Sequence, residues 1–469
     1  MKKTKIICSI GPASNEPDVM EKMVLAGMNV ARINFSHATI EEREKVVESV
    51  KEVRRRTGLP IAILYDTKGP EFRSGMLETG EITLTEGKTI RVVKDAILGN
   101  DERITVNHPQ VLSGLEVGDI ILLENGLMKI EVISKEEDGV TCKIIVGGIL
   151  GNKKSLSVPG KKLDIPYISK QDYDDIVYAC NHEADYLALS FVSTPEDVLE
   201  VRKILKDNNQ EDLPIICKIE NATGILNVEK ILEVSEGIMI ARGDLGTETC
   251  MEALPLVQKE MISKCREQGK IAIVATEMLE SMKKNARPTR AEISDVANAV
   301  LDGTDAVMLS GESTVGLYPV ETVKFMANIC EVTEAKADFK GKFNYSKEFG
   351  LTQTISTCVV ESSRLIDAKL IVAATVSGFT ARKISNLKPN CLILATCPTE
   401  AIRRRLALNY GVYSAIVPIL DSTDKVIAES VECAKNFMTL EKNDKVIITG
   451  GFPSTGVTKT TNLMKIEEI

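Results

Sequence analysis

Two carboxylates, Glu220 and Asp244, each sit at the end of a short apolar run, in IICKIE and IMIARGD. On consecutive strands, about 4.8 Å apart, they would share one hard divalent cation, with water and substrate oxygens completing the shell as Mg2+ prefers. The alternatives are an acid/base pair without metal, or a bridge from Glu220 to Lys218. An unneutralised carboxylate pair would strongly raise a pKa, which favours the metal. Lys218 precedes Glu220 by two residues, so both point to one side of a strand. An ammonium there suits developing negative charge, on an enolate or on a transferring phosphoryl group. The rival role, a Schiff-base lysine, is disfavoured because nearby carboxylates keep the lysine protonated.

A second group comes from NVARINFS, where Arg32, Asn34 and Ser36 alternate onto one face. Arg32 suits a phosphate or carboxylate by bidentate contact. Asn34, Ser36, Asp66 and the Thr67 carbonyl are oxygen donors, which could form a monovalent-cation site or an ordinary hydrogen-bond network. Thr276 closes IAIVAT with a hydroxyl placed for a proton relay, a substrate contact or merely a helix cap. RGDLG (242–246) puts Gly243 and Gly246 ahead of an expected helix, where backbone N–H groups meet anions. No GxxxxGK[ST], GxGxxG or HExxH motif is present.

These residues need a scaffold that brings them together. Eight apolar runs, IICSI, NVARINF, IAILYD, YLALSF, IICKIE, IMIARGD, IAIVAT and AVMLSGE, mostly end in a charged or hydroxyl residue and are separated by amphipathic segments. That is the sequence form of a (β/α)8 TIM barrel, whose active site lies at the carboxyl ends of its strands. The segment 39–57 carries Val46, Val47, Val50 and Val53 on one helical stripe. From about 69 to 163 the chain turns Gly-rich and strand-like, which predicts a small inserted all-β domain, a β-barrel lid, hinged after Asp66. The barrel then occupies 1–68 and 164–340. A third block, 346–469, alternates strands such as LIVAAT and VIITG with helices and predicts a doubly wound C-terminal α/β domain. Strands 1, 4 and 8 of the barrel end in polar groups to which the sequence assigns no chemical role.

The 469 residues exceed what one core usually holds. A net charge of −9 argues against nucleic acid as a partner. No 18-residue apolar span or signal peptide is visible, so a membrane partner and secretion are not expected. Eleven cysteines without a CxxC pair read as buried, reduced thiols of a cytoplasmic protein. Three histidines make an imidazole zinc site improbable, and the absence of Trp argues against stacking surfaces.

The assembled motifs resemble the pyruvate kinase family. TKIICSIGPAS (4–14), ARINFSH (31–37), DTKGPEFR (66–73), CKIENATG (217–224), IMIARGDLG (238–246), ATEMLESM (275–282), RPTRAEISDVANAVLDGTDAVMLSGES (287–313) and YPVETV (318–323) stand in family order and span the chain, which would end where short bacterial members end. The resemblance implies transfer of a phosphoryl group from phosphoenolpyruvate to ADP, giving pyruvate and ATP, in a cytoplasmic homotetramer. It implies that Lys218 stabilises the enolate and the phosphoryl in flight, and that Glu220 and Asp244 hold Mg2+ (or Mn2+). Arg32, Gly243, Asp244 and Thr276 would contact the substrate, with Thr276 near the proton path. Arg73 and Lys154, with Asn34 and His37, would meet the nucleotide. Asn34, Ser36, Asp66 and Thr67 would hold K+, and Glu71 matches K+-dependent members.

In the last domain TVSGFT (375–380), with Thr375, Ser377, Gly378 and Thr380, resembles the phosphate loop of a sugar-phosphate effector site, faced by GGFPSTGVTK (450–459). An ordinary βα turn is the alternative. The chain departs from the family pattern at Ser155, Ser157, Ser193, Glu277 and TETCME (247–252). Two other functions stay open at this level: a Mg2+-dependent aldolase or lyase acting on pyruvate enolate, without a nucleotide site, and a non-catalytic sugar-phosphate sensor.

Overall fold

The computed structural model describes residues 1–469 except 37, 162, 250, 338, 340–349 and 453–458. Eight parallel strands close into a barrel in chain order: Lys5–Ser9, Val30–Asn34, Ala62–Asp66, Tyr186–Leu189, Ile215–Ile219, Gly237–Ala241, Ile271–Ala275 and Ala306–Leu309. The apolar runs are continuous rather than alternating because both strand faces are buried, as parallel sheets require. The outward set, including Cys8, Ile33, Tyr65, Leu189, Cys217, Ile240 and Val274, packs under the helices. The inward set, Ile7, Val30, Leu64, Ala188, Ile216, Met239, Ile273 and Met308 among them, fills the barrel. Continuing the inward parity past this layer gives Ser9, Arg32, Asp66, Ser190, Lys218, Glu220 and Ser310, so the period of two that builds the core also delivers the polar rim.

The helices follow their sequence signals. Ile40–Thr57 starts from a Thr39 capping box, ends at left-handed Gly58, and buries Val46, Val47, Val50 and Val53. Arg290–Asp302 starts from a Thr289–Glu292 capping box.

The inserted block leaves after the third strand and returns before the fourth, two strands that are themselves paired (Asp66 opposite Ala188). It holds a six-stranded sheet and a two-stranded one around its own core, which includes Ile90, Ile121, Ile130 and Val140. Among the described residues the six-stranded sheet runs from Leu156–Ser157 at one edge to Arg103–Thr105 at the other.

The C-terminal sheet orders its strands Val412–Ile416, Leu392–Cys397, Leu370–Ala374, Lys445–Gly450 and Leu463–Glu468, the last antiparallel. One face packs on Val359, Ile384 and Leu406, the other on Ala434, so helices cover both sides. The Val412–Ile416 strand ends just before Val417-Pro418. The boundaries expected at 340 and 346 lie outside the described residues.

This domain closes the amino-terminal end of the barrel. Ala407 and Leu408 belong to the same buried cluster as the barrel's inward side chains. Around them Lys388 pairs with Asp305, Arg404 and Arg54 converge on Asp185, and the Tyr186 hydroxyl donates to the Arg405 carbonyl.

Candidate functional site

The carboxyl ends of the strands open into a cleft of about 490 Å3 between barrel and inserted block. From the barrel come Arg32, Asn34, Ser36, Lys218, Glu220 and Asp244; from the block side come Arg73, Lys154 and Ser157. Asp66, Thr67, Gly243 and Thr276 lie just behind this lining.

Lys218 is the centre. Its Nζ lies 2.6 Å from Ser190 Oγ, 2.9 Å from Glu220 Oε1 and 3.3 Å from Asp66 Oδ1. An ammonium has three N–H donors, and each has an acceptor. Burial opposes the charge on Lys218, but Asp66 and Glu220 outweigh it and hold its pKa above the ordinary value. The Schiff-base alternative is therefore disfavoured by geometry as well as by composition. Asp66 is fully buried; burial works against its ionisation, yet Arg32 and Lys218 keep it below the usual carboxylate range. Arg32 Nε donates to Asp66 Oδ2 at 2.6 Å and its Nη1 to Ser9 Oγ at 2.7 Å.

Glu220 is 1% exposed and accepts the Phe191 N–H at 2.7 Å on Oε2. Burial pushes its carboxyl up to about 7, Lys218 holds it down, and the nearby Asp244 charge adds to the rise. A buried carboxylate so destabilised, next to a second one in a cleft, is a hard-oxygen donor pair that fits a divalent cation. Among the described residues no group of three or more His, Cys, Asp and Glu is arranged around one point. The pair would leave most of the shell to water and substrate, as Mg2+ chemistry allows.

The expected monovalent-cation donors lie at the ends of two neighbouring strands. Asn34 and Asp66 are register partners on adjacent strands. Asn34 Oδ1 accepts the Ser36 N–H at 3.1 Å, and the Thr67 carbonyl accepts Ser190 Oγ at 2.7 Å. Ser36 itself lies past the end of its strand, so the alternation expected through it stops at Asn34.

Gly243 and Gly246 do not precede a helix: Arg242–Glu248 is the helix, and both lie inside it. The Gly243 N–H is engaged by Thr276 Oγ1 at 2.8 Å, and Thr276 Oγ1 lies 2.6 Å from the Ala275 carbonyl. Thr276 and Glu277 both have left-handed backbone, φ 70° and 53°. For a β-branched residue this is an outlier of the kind found at functional sites. The departure at Glu277 is exposed and is not part of the cleft lining.

The nucleotide candidates are internally paired. Arg73 Nη2 lies 2.7 Å from Glu71 Oε1, and Lys154 Nζ 2.5 Å from Glu124 Oε1. Burial opposes ionisation of Glu71, but Arg73 and Lys68 keep its carboxyl low. Ser155 Oγ donates to Asn125 Oδ1 at 2.8 Å. His37 lies outside the described residues. In the C-terminal domain Thr375, Ser377 and Thr380 line a cavity of about 70 Å3, and Gly378 caps the helix Phe379–Asn386 with φ 79°. Most of the facing loop, 453–458, lies outside the described residues.

Sequence reasoning left Ser9, Ser190 and the Arg242 guanidinium without roles. The signal for the two serines was available, since both fall on the inward parity of their strands.

Two family models match the chain, the pyruvate kinase barrel domain over residues 1–323 and the pyruvate kinase alpha/beta domain over 353–467. A pyruvate kinase of Staphylococcus haemolyticus is 45% identical over 471 residues, covering 99% of this chain and 80% of that protein. One from Geobacillus stearothermophilus is 43% identical over 473 residues, covering 100% of this chain and 80% of its own length. A crystal structure of a pyruvate kinase from Cryptosporidium parvum superposes with a TM-score of 0.94 at 37% identity, over 100% of this chain and 96% of that one.

Proposed function

The chain belongs to the pyruvate kinase family and transfers the phosphoryl group of phosphoenolpyruvate to ADP, giving pyruvate and ATP, and from that premise we propose that the cleft around Lys218 is where the transfer takes place. The observation that carries this is the buried Lys218 ammonium, held by Ser190, Glu220 and Asp66 between Arg32 and the carboxylate pair.

Arg32, fixed by Asp66 and Ser9, directs its remaining donors at the phosphoryl oxygens. The Lys218–Asp66 contact is the longest of the three, and it is the one that the arriving anion replaces. Asp66 keeps Arg32 as its partner, so no buried carboxylate is left unpaired. As the bond from phosphorus to the C2 oxygen breaks and the bond to the terminal ADP oxygen forms, Lys218 faces the charge that gathers on the enolate oxygen and on the phosphoryl in flight. The enolate then takes a proton at C3, with the Thr276 hydroxyl next to that path, and Gly243 and Asp244 contact the substrate. Arg73 and Lys154 exchange Glu71 and Glu124 for nucleotide phosphates, with Asn34 and His37 nearby.

Members of the family use a divalent cation and K+. In this chain Glu220 and Asp244 are the proposed ligands for Mg2+ or Mn2+, and Asn34, Ser36, Asp66 and the Thr67 carbonyl those for K+. Bound there, the cations would neutralise phosphoryl and carboxylate oxygens of the substrate.

The Thr375, Ser377, Gly378 and Thr380 loop is the proposed seat of a sugar-phosphate effector, supported by its hydroxyls around a cavity at a helix start. A cytoplasmic homotetramer is proposed on family grounds; the described cysteines are free, and no described helix is long and apolar enough to cross a membrane.

A coupled assay tests the reading. With Mg2+ and K+ present, pyruvate should form only when ADP is supplied, and Lys218→Ala should abolish transfer while the circular-dichroism spectrum stays unchanged. Replacing K+ with Na+ should cost most of the rate; an unchanged rate would refute the K+ assignment built on Glu71. Absence of ADP-dependent turnover would sink the proposal.

A further inference from the structure

Ser190, two residues beyond Ala188 on the inward parity of the fourth barrel strand, has so far appeared only as one of the three acceptors of Lys218. It is 2% exposed. Its Oγ lies 2.6 Å from Lys218 Nζ, 2.7 Å from the Thr67 carbonyl and 3.2 Å from Asp66 Oδ1. A hydroxyl has one proton and an ammonium only donates. Lys218 therefore donates to Ser190, and Ser190 donates its own O–H to the nearer acceptor, the Thr67 carbonyl.

The backbone of the same residue is tied to both crossings between the barrel and the inserted block. Its N–H donates to Thr67 Oγ1 at 3.2 Å, on the outgoing crossing. Its carbonyl accepts the Tyr167 hydroxyl at 3.0 Å, on the returning one. Gly69, also on the outgoing crossing, packs so closely that a Cβ there would stand 2.8 Å from the Ser190 carbonyl oxygen, at a φ of +70° that already favours glycine. One residue thus touches the way out, the way back and the lysine.

We propose that Ser190 is a positioning residue that fixes the Lys218 ammonium at the point of phosphoryl transfer and registers that position to the two crossings of the inserted block. Lysine has a flexible four-carbon stem, and Asp66 and Glu220 pull its head in two directions. A neutral third acceptor sets the remaining N–H without adding charge, and it stays in place when the anion displaces Asp66. Because the serine's orientation is set by Thr67 and Tyr167, any rearrangement at the crossings reaches Lys218 through a single hydroxyl.

The proposal rests on Lys218 handling the phosphoryl group, so the wild-type enzyme is assayed alongside. Ser190→Ala should lower kcat about 10- to 100-fold, the loss of one hydrogen bond to a charged group. KM for phosphoenolpyruvate should stay within about two-fold, because the contact matters most in the transition state. Ser190→Thr, which keeps the hydroxyl, should recover most of the rate. Tyr167→Phe should lower kcat more mildly, and the double variant Ser190→Ala/Tyr167→Phe should be no slower than Ser190→Ala, since both act through one group. Thermal melting of each variant separates misfolding from misplacement; if Ser190→Ala does not fold, Ser190→Thr and Tyr167→Phe decide the matter. Wild-type kcat in Ser190→Ala, a folded Ser190→Thr as slow as a folded Ser190→Ala, or additive losses in the double variant would overturn the proposal. A wild-type enzyme without ADP-dependent turnover overturns the reading of the site itself, and this role with it.

Discussion

Arg242 grips the peptide of Thr276: its Nη2 donates to the Thr276 carbonyl at 2.7 Å, while Nη1 is held by Asp295 at 2.7 Å. The carbonyl belongs to a β-branched residue with φ 70°, a conformation that costs of order 1–3 kcal/mol and persists only where its surroundings enforce it. Arg242→Ala removes the enforcing group. It should lower kcat about 10- to 100-fold, with little change in far-UV circular dichroism. Arg242→Lys should recover little, because one ammonium cannot reproduce the fork. A kcat within about two-fold of wild type would show that Thr276 holds its geometry unaided.

The same helix that carries Asp295 is started by Glu292, which accepts from the Ser281 and Thr289 N–H groups at 2.7 Å each. Burial alone would raise its pKa, but the Ser281 hydroxyl and these N–H groups outweigh it and hold it below the ordinary carboxylate value. A depressed folded-state pKa gives stability that is present above the unfolded value, about 4.3, and is lost as pH falls through the folded one. Denaturation midpoints measured from pH 6 down to about pH 3 should therefore drop less steeply in Glu292→Gln than in wild type. Parallel curves would discount the cap.

Leu408 is fully buried among the inward side chains of the barrel. Leu408→Ala should cost about 2–5 kcal/mol, the range for a large-to-small change that leaves a cavity. The loss should appear in urea denaturation followed at the barrel as well as at the C-terminal domain. A shift confined to the C-terminal transition would mean that the two cores are independent.

Gly69→Ala forces a Cβ to within 2.8 Å of the Ser190 carbonyl oxygen at a φ of +70°. The backbone strain alone is worth about 1–2 kcal/mol. Hydrogen exchange should speed up at the two crossings of the inserted block, and kcat should fall. Unchanged exchange there would show that the crossing has room to spare.

The barrel was legible because its signal is repeated: eight apolar runs, each buried on both faces, each ending at the same level. The rim followed from parity, which is why Lys218, Glu220, Asp66 and Arg32 are found together. What stayed hidden depends on partners distant in sequence. The Thr276 hydroxyl is engaged by Gly243, and Arg73 and Lys154 are claimed by Glu71 and Glu124, pairings that no local pattern encodes. RGDLG was placed ahead of a helix, but the helix already starts at Arg242; two glycines disfavour helix, and capture of Gly243 by Thr276 with burial of Leu245 and Gly246 overrides that propensity.

The barrel takes part of its interior packing from Ala407 and Leu408, about a hundred residues downstream of its last strand, which ends at Leu309. A ribosome making this chain releases all eight strands well before it makes the side chains that fill the floor. At roughly 5–20 residues per second, the nascent barrel spends several seconds with an apolar well open to solvent. During that interval it is a client for whatever holds exposed hydrophobic surface in the cell. A protein truncated between the two domains would remain in that state permanently.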